Sequence, residues 1–271
     1  MGFITEPLSE RQKAATMRRL QLIAALAVST QNYNLASDTA LITAACGGDA
    51  ARAAPLIAAT SSASGLIEFL LNPVLGKLAD AAGRKGVYYI GPVVSGVVMS
   101  LAVLLTRGRS LPVLLAHRAL GWALLSQSCS FIVPITISDM FTGQGKIAIP
   151  SRFAMLSISL TPESITIAEL GVNIAQAFAS MGIGVTLAPP LGMLIMQRTG
   201  NPLIVYRLRL VSALAQLAVL WFAIPETLER SKRRPVTSLR ALNPFRFVAI
   251  LRAPRALKML SATLFFNFFA E

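Results

Sequence analysis

The sequence is poor in charge and in cysteine. Only 14% of its 271 residues are charged, whereas 54% are hydrophobic and the mean hydropathy is +0.63. Soluble domains usually contain about a quarter charged residues, so this composition argues against a water-soluble fold. The two cysteines, Cys46 and Cys129, are too few and too far apart for a disulfide framework or a thiolate metal site. We therefore expect neither a metal nor a cofactor.

Enzyme signatures are also missing from the sequence. It contains no His-Glu-x-x-His and no Gly-x-Ser-x-Gly. Residues 143–146 (Gly-Gln-Gly-Lys) are not a phosphate-binding loop, because Met140 stands where the first glycine is needed and Ile147 replaces Ser or Thr. The single histidine, His117, is predicted near the outer end of a hydrophobic run, where an interfacial position is the simplest interpretation and a role as proton carrier is the alternative. The sequence thus predicts a protein that is not an enzyme.

The sequence contains several long hydrophobic runs. A helix of about 20 apolar residues crosses the ~30 Å hydrocarbon core of a bilayer. Six such runs lie at residues 20–45, 54–75, 87–106, 112–138, 170–197 and 203–224, and a seventh begins near residue 257. We predict an all-α polytopic membrane protein with a six-transmembrane-helix bundle at residues 1–228, a basic cytoplasmic linker at 229–256 and the beginning of a seventh transmembrane helix at 257–271.

Basic residues outnumber acidic ones by 25 to 12, which gives a net charge of +13. They concentrate in alternate connections between the runs, and membrane spans separate these connections, so they cannot form one nucleic-acid surface. The positive-inside rule places the N-terminus and the segment after the sixth run in the cytoplasm, with the lipid bilayer as partner. Arg207 and Arg209 do not fit this pattern.

The connection between the second and third runs carries the most specific motif, residues 76–85 (Gly-Lys-Leu-Ala-Asp-Ala-Ala-Gly-Arg-Lys). It resembles the signature loop of the major facilitator superfamily, Gly-x-Leu-Ala-Asp-x-x-Gly-Arg-Lys. Glycines here permit close helix approach and a tight turn with positive φ. The resemblance implies a charge network that holds a cytoplasmic gate; its residues are Gly76, Asp80, Gly83, Arg84, Lys85 and, as a partner of Arg84, Asp139. The alternative is a solvated turn whose charges only set topology.

Two further segments resemble motifs of the same family. Residues 225–228 (Pro-Glu-Thr-Leu) match the end of the sixth helix in many members, and 118–121 (Arg-Ala-Leu-Gly) is similar to an Arg-x-x-x-Gly motif but one residue short. In the fifth run Gly184, Pro189, Pro190 and Gly192 resemble the Gly-Pro-x-x-Gly motif of proton-coupled antiporters, with Ala188 in the place of one glycine. The prolines could instead only kink a packed helix.

The resemblance covers residues 20–271 and favours the drug/proton antiporter, tetracycline-resistance-like branch. It implies the N-terminal half of the major facilitator fold, and transport of a small-molecule organic substrate by alternating access, coupled to protons as an antiport. A proton-independent facilitator for sugars and a non-transporting, receptor-like or regulatory half-bundle are the alternatives. Because family members have twelve spans, we expect a truncated form that a missing C-terminal half or a second chain completes.

Polar side chains recur at helical spacing inside three of the runs. Charge within hydrocarbon is costly and usually faces a water-filled cavity or a partner. The candidates for substrate and proton binding are Glu68, Asp38, Arg118, Gln31, Asn34 and Asn72, and Glu68 facing Arg118 could exchange protons. Asn173, Gln176, Ser180 and Gly184 form a third stripe in the fifth run. The alternative is that these groups only join helices through hydrogen bonds of ~0.6 kcal/mol each.

Overall fold

The computed structural model of the protein describes residues 10–126, 132–142 and 162–228, with three isolated positions at 233, 243 and 259. Its helices are α1 (Glu10–Asn32), α2 (Leu35–Ala45), α3 (Ala50–Ala82), α4 (Arg84–Leu105), α5 (Leu111–Ser126), α6 (Ile132–Thr142), α7 (Pro162–Thr199) and α8 (Leu203–Ala223). This confirms the all-helical prediction. Apart from those three positions, the predicted linker and the start of a seventh span lie outside the described residues.

Within the described ranges, α3, α4, α7 and α8 are long and apolar enough to cross a membrane. They correspond to the second, third, fifth and sixth predicted spans. The first predicted span is divided into α1 and α2 by Tyr33 and Asn34, where Asn32 donates its side-chain amide to the Val28 carbonyl. Such local bonds compete with a continuous helix. The fourth predicted span comprises α5 and α6, on either side of residues that the structure does not describe, so the count of six spans stays a prediction.

The helices pack in three principal pairs, α1 with α7, α3 with α5, and α4 with α8. Numbered as predicted spans, these are pairs one–five, two–four and three–six. If spans one to three are exchanged with spans four to six in order, pair one–five becomes pair four–two, and pair three–six becomes itself. This is the packing expected of two three-helix repeats, which are common inside six-span transporter units. The sequence itself showed no such repeat.

Small residues bring α7 close to α1. Gly184, Ala188 and Gly192 are buried, and a Cβ added at Gly184 would lie 2.9 Å from the Ala25 carbonyl oxygen. One added at Gly192 would overlap the Tyr33 carbonyl. Membrane helices pack through such small-residue seams because lipid offers no hydrophobic drive for their association. This geometry matches the packing interpretation of the fifth-span motif; Pro189 and Pro190 lie inside α7, and an antiporter role for the motif stays a prediction.

Two apolar clusters occupy the interior of the bundle. The first cluster includes α1 as far as Val28 and contains Leu220 of α8. The second begins at Leu41 of α2 and contains Tyr206 of α8. The polar residues described below lie between these positions in sequence on each helix. The cluster that includes Leu220 is at the end of the bundle that carries the 76–85 loop. The buried polar groups therefore lie at mid-depth, with apolar packing on both sides.

Candidate functional site

Arg209 of α8 is the centre of the mid-depth polar cluster. Its side chain is 1% exposed. Nη1 donates to Asn34 Oδ1 at 3.0 Å and lies 2.6 Å from His117 Nε2. Nη2 donates to Gln31 Oε1 and Ser95 Oγ, each at 2.5 Å, and to the Ser95 carbonyl at 3.2 Å. One guanidinium thus joins residues of the first, third, fourth and sixth predicted spans.

Asp38 supplies the negative charge of the same cluster. It accepts hydrogen bonds from the hydroxyl of Tyr206 and, at 2.8 Å, from Asn34 Nδ2. Asn34 therefore bridges the two charges, because its oxygen faces Arg209 while its nitrogen faces Asp38. His117 Nδ1 is 3.6 Å from Asp38 Oδ1. A carboxylate and a guanidinium buried this far from water are tolerated only with such compensation.

The backbone of α4 is adapted to this contact. Residues Gly91–Val98 are π-helical, and Ser95 offers both its hydroxyl and its carbonyl to Arg209. Single π-helical turns occur frequently at functional sites. A small cavity lies beside the cluster, lined by Thr30, Gln31, Pro92, Ser95, Arg209 and Gln216. The cluster therefore borders space for a water molecule or another small polar group.

Arg118 of α5 is a second buried cation. It is 8% exposed, and its Nη2 donates to Ser61 Oγ of α3 at 3.4 Å. Nε and Nη1 are buried and have no hydrogen-bond partner in the part of the chain that the structure describes. Glu68 is half-buried on α3, two turns after Ser61, and the buried Oδ1 of Asn72 also lacks a described partner. Arg118 thus contacts the helix, α3, on which the predicted site residues Glu68 and Asn72 lie.

The polar stripe of the fifth span is placed differently. Gln176 is exposed and accepts a hydrogen bond from Gln21 Nε2 of α1 at 3.1 Å, while Ser180 donates to the Gln176 carbonyl at 2.7 Å. These contacts join α7 to α1 or stay within α7. They match the alternative that polar residues connect helices.

At the end of the bundle that carries the 76–85 loop, Arg84 joins three helices. Its Nε donates to Asp139 Oδ2 of α6 at 2.8 Å and its Nη1 to Asp80 Oδ1 of α3 at 2.6 Å. The side chain is buried although both partners are partly exposed. These are the residues that the motif resemblance brought together. Their role in gating stays a prediction.

Glu226 completes this network from the end of the sixth span. Its Oε1 accepts the backbone N–H of Arg84 at 2.9 Å and its Oε2 that of Lys85 at 3.3 Å. A carboxylate at these first amides compensates the positive end of α4. Gly83 has φ of +109°, and a Cβ there would overlap Glu226 Oε2. Lys85 Nζ in turn donates to the Trp221 carbonyl at 3.0 Å.

Sequence reasoning missed several members of both networks. In the charge distribution Arg209 is only an exception, although an arginine inside an apolar run predicts a buried partner or a cavity. His117 is fully buried between helices, a position that the sequence did not predict. Its position beside Arg209 and Asp38 depends on the packing of α5 against α2 and α8. The sequence places Glu226 only at the end of the sixth helix. No local pattern predicts its contact with the turn at Gly83.

Comparison with known proteins supports the family resemblance. No family model matches the sequence. A protein of Bos taurus named major facilitator superfamily domain-containing protein 10 is 28% identical over 197 residues, which are 73% of this chain and 35% of the relative. The crystal structure of the human organic anion transporter MFSD10 (TETRAN) superposes with a TM-score of 0.57 at 19% identity, over 93% of this chain and 60% of that chain.

The structural likeness shows that this chain has the fold of a major facilitator transporter, and the sequence similarity supports membership in that superfamily. The four apolar helices and this similarity together support an integral membrane protein. The human protein is described as an organic anion transporter. The chain spans about a third of the bovine relative and 60% of the human chain.

Proposed function

We propose that this chain forms one bundle of an alternating-access transporter whose substrate is a small organic anion. The observation that carries the proposal is Arg118, a buried guanidinium at mid-depth with two nitrogens that lack described partners. The fold, shared with a human protein described as an organic anion transporter, supplies the transport context. The resemblance of the fifth-run motif to that of proton-coupled antiporters is the reason for proposing that transport is coupled to protons.

Burial of Arg118 favours an anionic ligand for an energetic reason. A buried donor without an acceptor costs about 1–3 kcal/mol, and more when it is charged. A carboxylate or sulfonate that reaches Nε or Nη1 would supply the missing acceptor and a counter-charge, and charge-assisted bonds of this kind are the stronger ones. A second six-helix bundle, from a C-terminal half or from a second chain, would enclose the site on the side of α3 and α7.

Proton coupling is the finer part of the proposal. Carboxylates inside a bundle are typical of proton relays in transporters. Asp38 is buried within the Arg209 cluster, and Glu68 is half-buried on the helix that contacts Arg118. We infer that Glu68 takes up and releases the coupled proton as access alternates between the two sides of the membrane.

Arg118→Gln is expected to reduce the initial rate of organic anion uptake about tenfold or more, because it removes the charge that the substrate would contact. The measurement is uptake of a fluorescent carboxylate into membrane vesicles from cells that express the chain. Arg52→Gln is the matched control, since the Arg52 side chain is 78% exposed. Equal losses in both variants, or faster uptake of an uncharged analogue than of the anion, would contradict the assigned substrate class.

Glu68→Gln is expected to leave membrane insertion intact but to abolish the dependence of uptake on an imposed pH gradient. The physical reason is that an amide cannot carry the coupled proton. Uptake is compared with and without the gradient in vesicles that contain equal amounts of chain. If wild-type uptake is identical in both conditions, the chain is a facilitator. Specific anion binding with no flux would indicate a receptor-like bundle.

A further inference from the structure

His117 has an assignable tautomer in this structure. Its Nε2 lies 2.6 Å from Arg209 Nη1. A guanidinium has hydrogen-bond donors and no acceptor, so Nε2 must accept this hydrogen bond and carry no proton. The imidazole is then neutral with its hydrogen on Nδ1, the nitrogen that lies 3.6 Å from Asp38 Oδ1. The contact with Arg209 thus excludes the imidazolium form, which has a hydrogen on both nitrogens.

We propose that His117 is a proton-binding site that Arg209 keeps closed, so that the histidine is protonated only when Arg209 leaves it. This inference rests on the proton coupling proposed above and adds a second site to it. The proton binds to the Nε2 lone pair that the Arg209 hydrogen bond occupies. The imidazolium then directs Nδ1–H to Asp38, and release of the proton restores the bond from Arg209.

The charges around His117 make the two states mutually exclusive. Asp38 faces it from α2, Arg209 and Tyr206 face it from α8, and Arg118 is its neighbour on α5. From α1 and α4 the cluster receives only uncharged groups, while α3, which packs against α5, carries Glu68. Of the charges that act on His117 itself, Arg209 and Arg118 are both positive, and Asp38 is the single carboxylate beside the ring. A third cation therefore requires Arg209 to move away.

Movement of Arg209 would change the packing of the whole bundle. The same guanidinium holds Gln31 and Asn34 of the first predicted span and Ser95 of α4. Its departure would break these bonds together. The occupancy of one proton site would thereby be linked to contacts among four spans, which is the kind of two-state element that coupling requires.

The test uses the fact that His117 is the only histidine of the chain. The chain is labelled with ¹⁵N in histidine and arginine, placed in lipid bilayers, and studied by solid-state NMR as the pH is lowered. With the neutral imidazole, the expected spectrum has hydrogen on Nδ1, none on Nε2, and a through-space cross-peak between Nε2 and an arginine side-chain nitrogen. This cross-peak should disappear in the same step in which the imidazolium signals appear.

Two variants identify the arginine. Arg209→Met should lose the cross-peak at every pH, while Arg207→Met, which changes an exposed arginine of the same helix, should keep it. A neutral imidazole with hydrogen on Nε2 would overturn the proposal, and so would a cross-peak that persists beside the imidazolium. Because these spectra require no transport, they separate failure of this inference from failure of the proposed function.

Discussion

Replacement of Arg209 by methionine is expected to lower the free energy of unfolding in detergent micelles by about 3–5 kcal/mol, the cost of leaving a buried charge without its compensating partner. Asp38 would lose its counter-charge, and the Gln31, Ser95 and Asn34 oxygens would lose the donor that now serves them. Methionine fills a similar volume with an apolar chain, so the loss reports hydrogen bonds and charge more than packing. Thermal or denaturant unfolding followed by circular dichroism measures it.

The matched control for this change is Arg207→Met. Arg207 is exposed on the same helix, and surface substitutions usually change stability by no more than about 0.5 kcal/mol. The double variant Arg209→Met with Asp38→Asn should recover part of the loss, because it removes the orphaned charge as well. Equal stability of the two single variants, or no recovery in the double variant, would show that Arg209 does not hold the bundle through this cluster.

Local patterns predicted the spans that form long, uninterrupted apolar helices. For α3, α4, α7 and α8 the hydrophobic runs were long enough to decide the matter, because length and composition set what a bilayer accepts. The first run was predicted as one helix and is two. Gln31, Asn32 and Asn34 interrupt it, and an asparagine side chain can satisfy the backbone without a helix. The same residues that weaken the helix build the polar cluster.

The two charge networks differ in how far the sequence could predict them. The family resemblance implied both partners of Arg84, namely Asp80 in the same motif and Asp139 on another span. Arg209 and Gln31 are 178 residues apart. Helical periodicity tells which residues share a face but not which face meets which neighbour. That relation depends on the packing of α8 against α1 and α4, which a single sequence does not contain.

The seam between α1 and α7 indicates why the fifth-span motif needs glycine. Backbone contact is possible only where a helix has no Cβ, and Gly192 faces the Tyr33 carbonyl at the point where the first predicted span turns from α1 into α2. The contact between the α7 and α1 backbones is therefore made at the break between α1 and α2. Any side chain at Gly192 would push α7 away from that turn and, through α1, would disturb the nearby Asn34 in the polar cluster.

Gly192→Ala is therefore expected to destabilise the bundle by about 1–3 kcal/mol, the usual cost of overpacking, although alanine is the better helix former. Gly182→Ala is the matched control: it lies on the same helix with nothing within 4 Å of an added Cβ, so it should be neutral or stabilising by up to about 1 kcal/mol. Unfolding in micelles compares the two. If both alanines stabilise equally, α7 does not approach α1 at Tyr33, and the helix-five motif would then have to be explained by something other than packing.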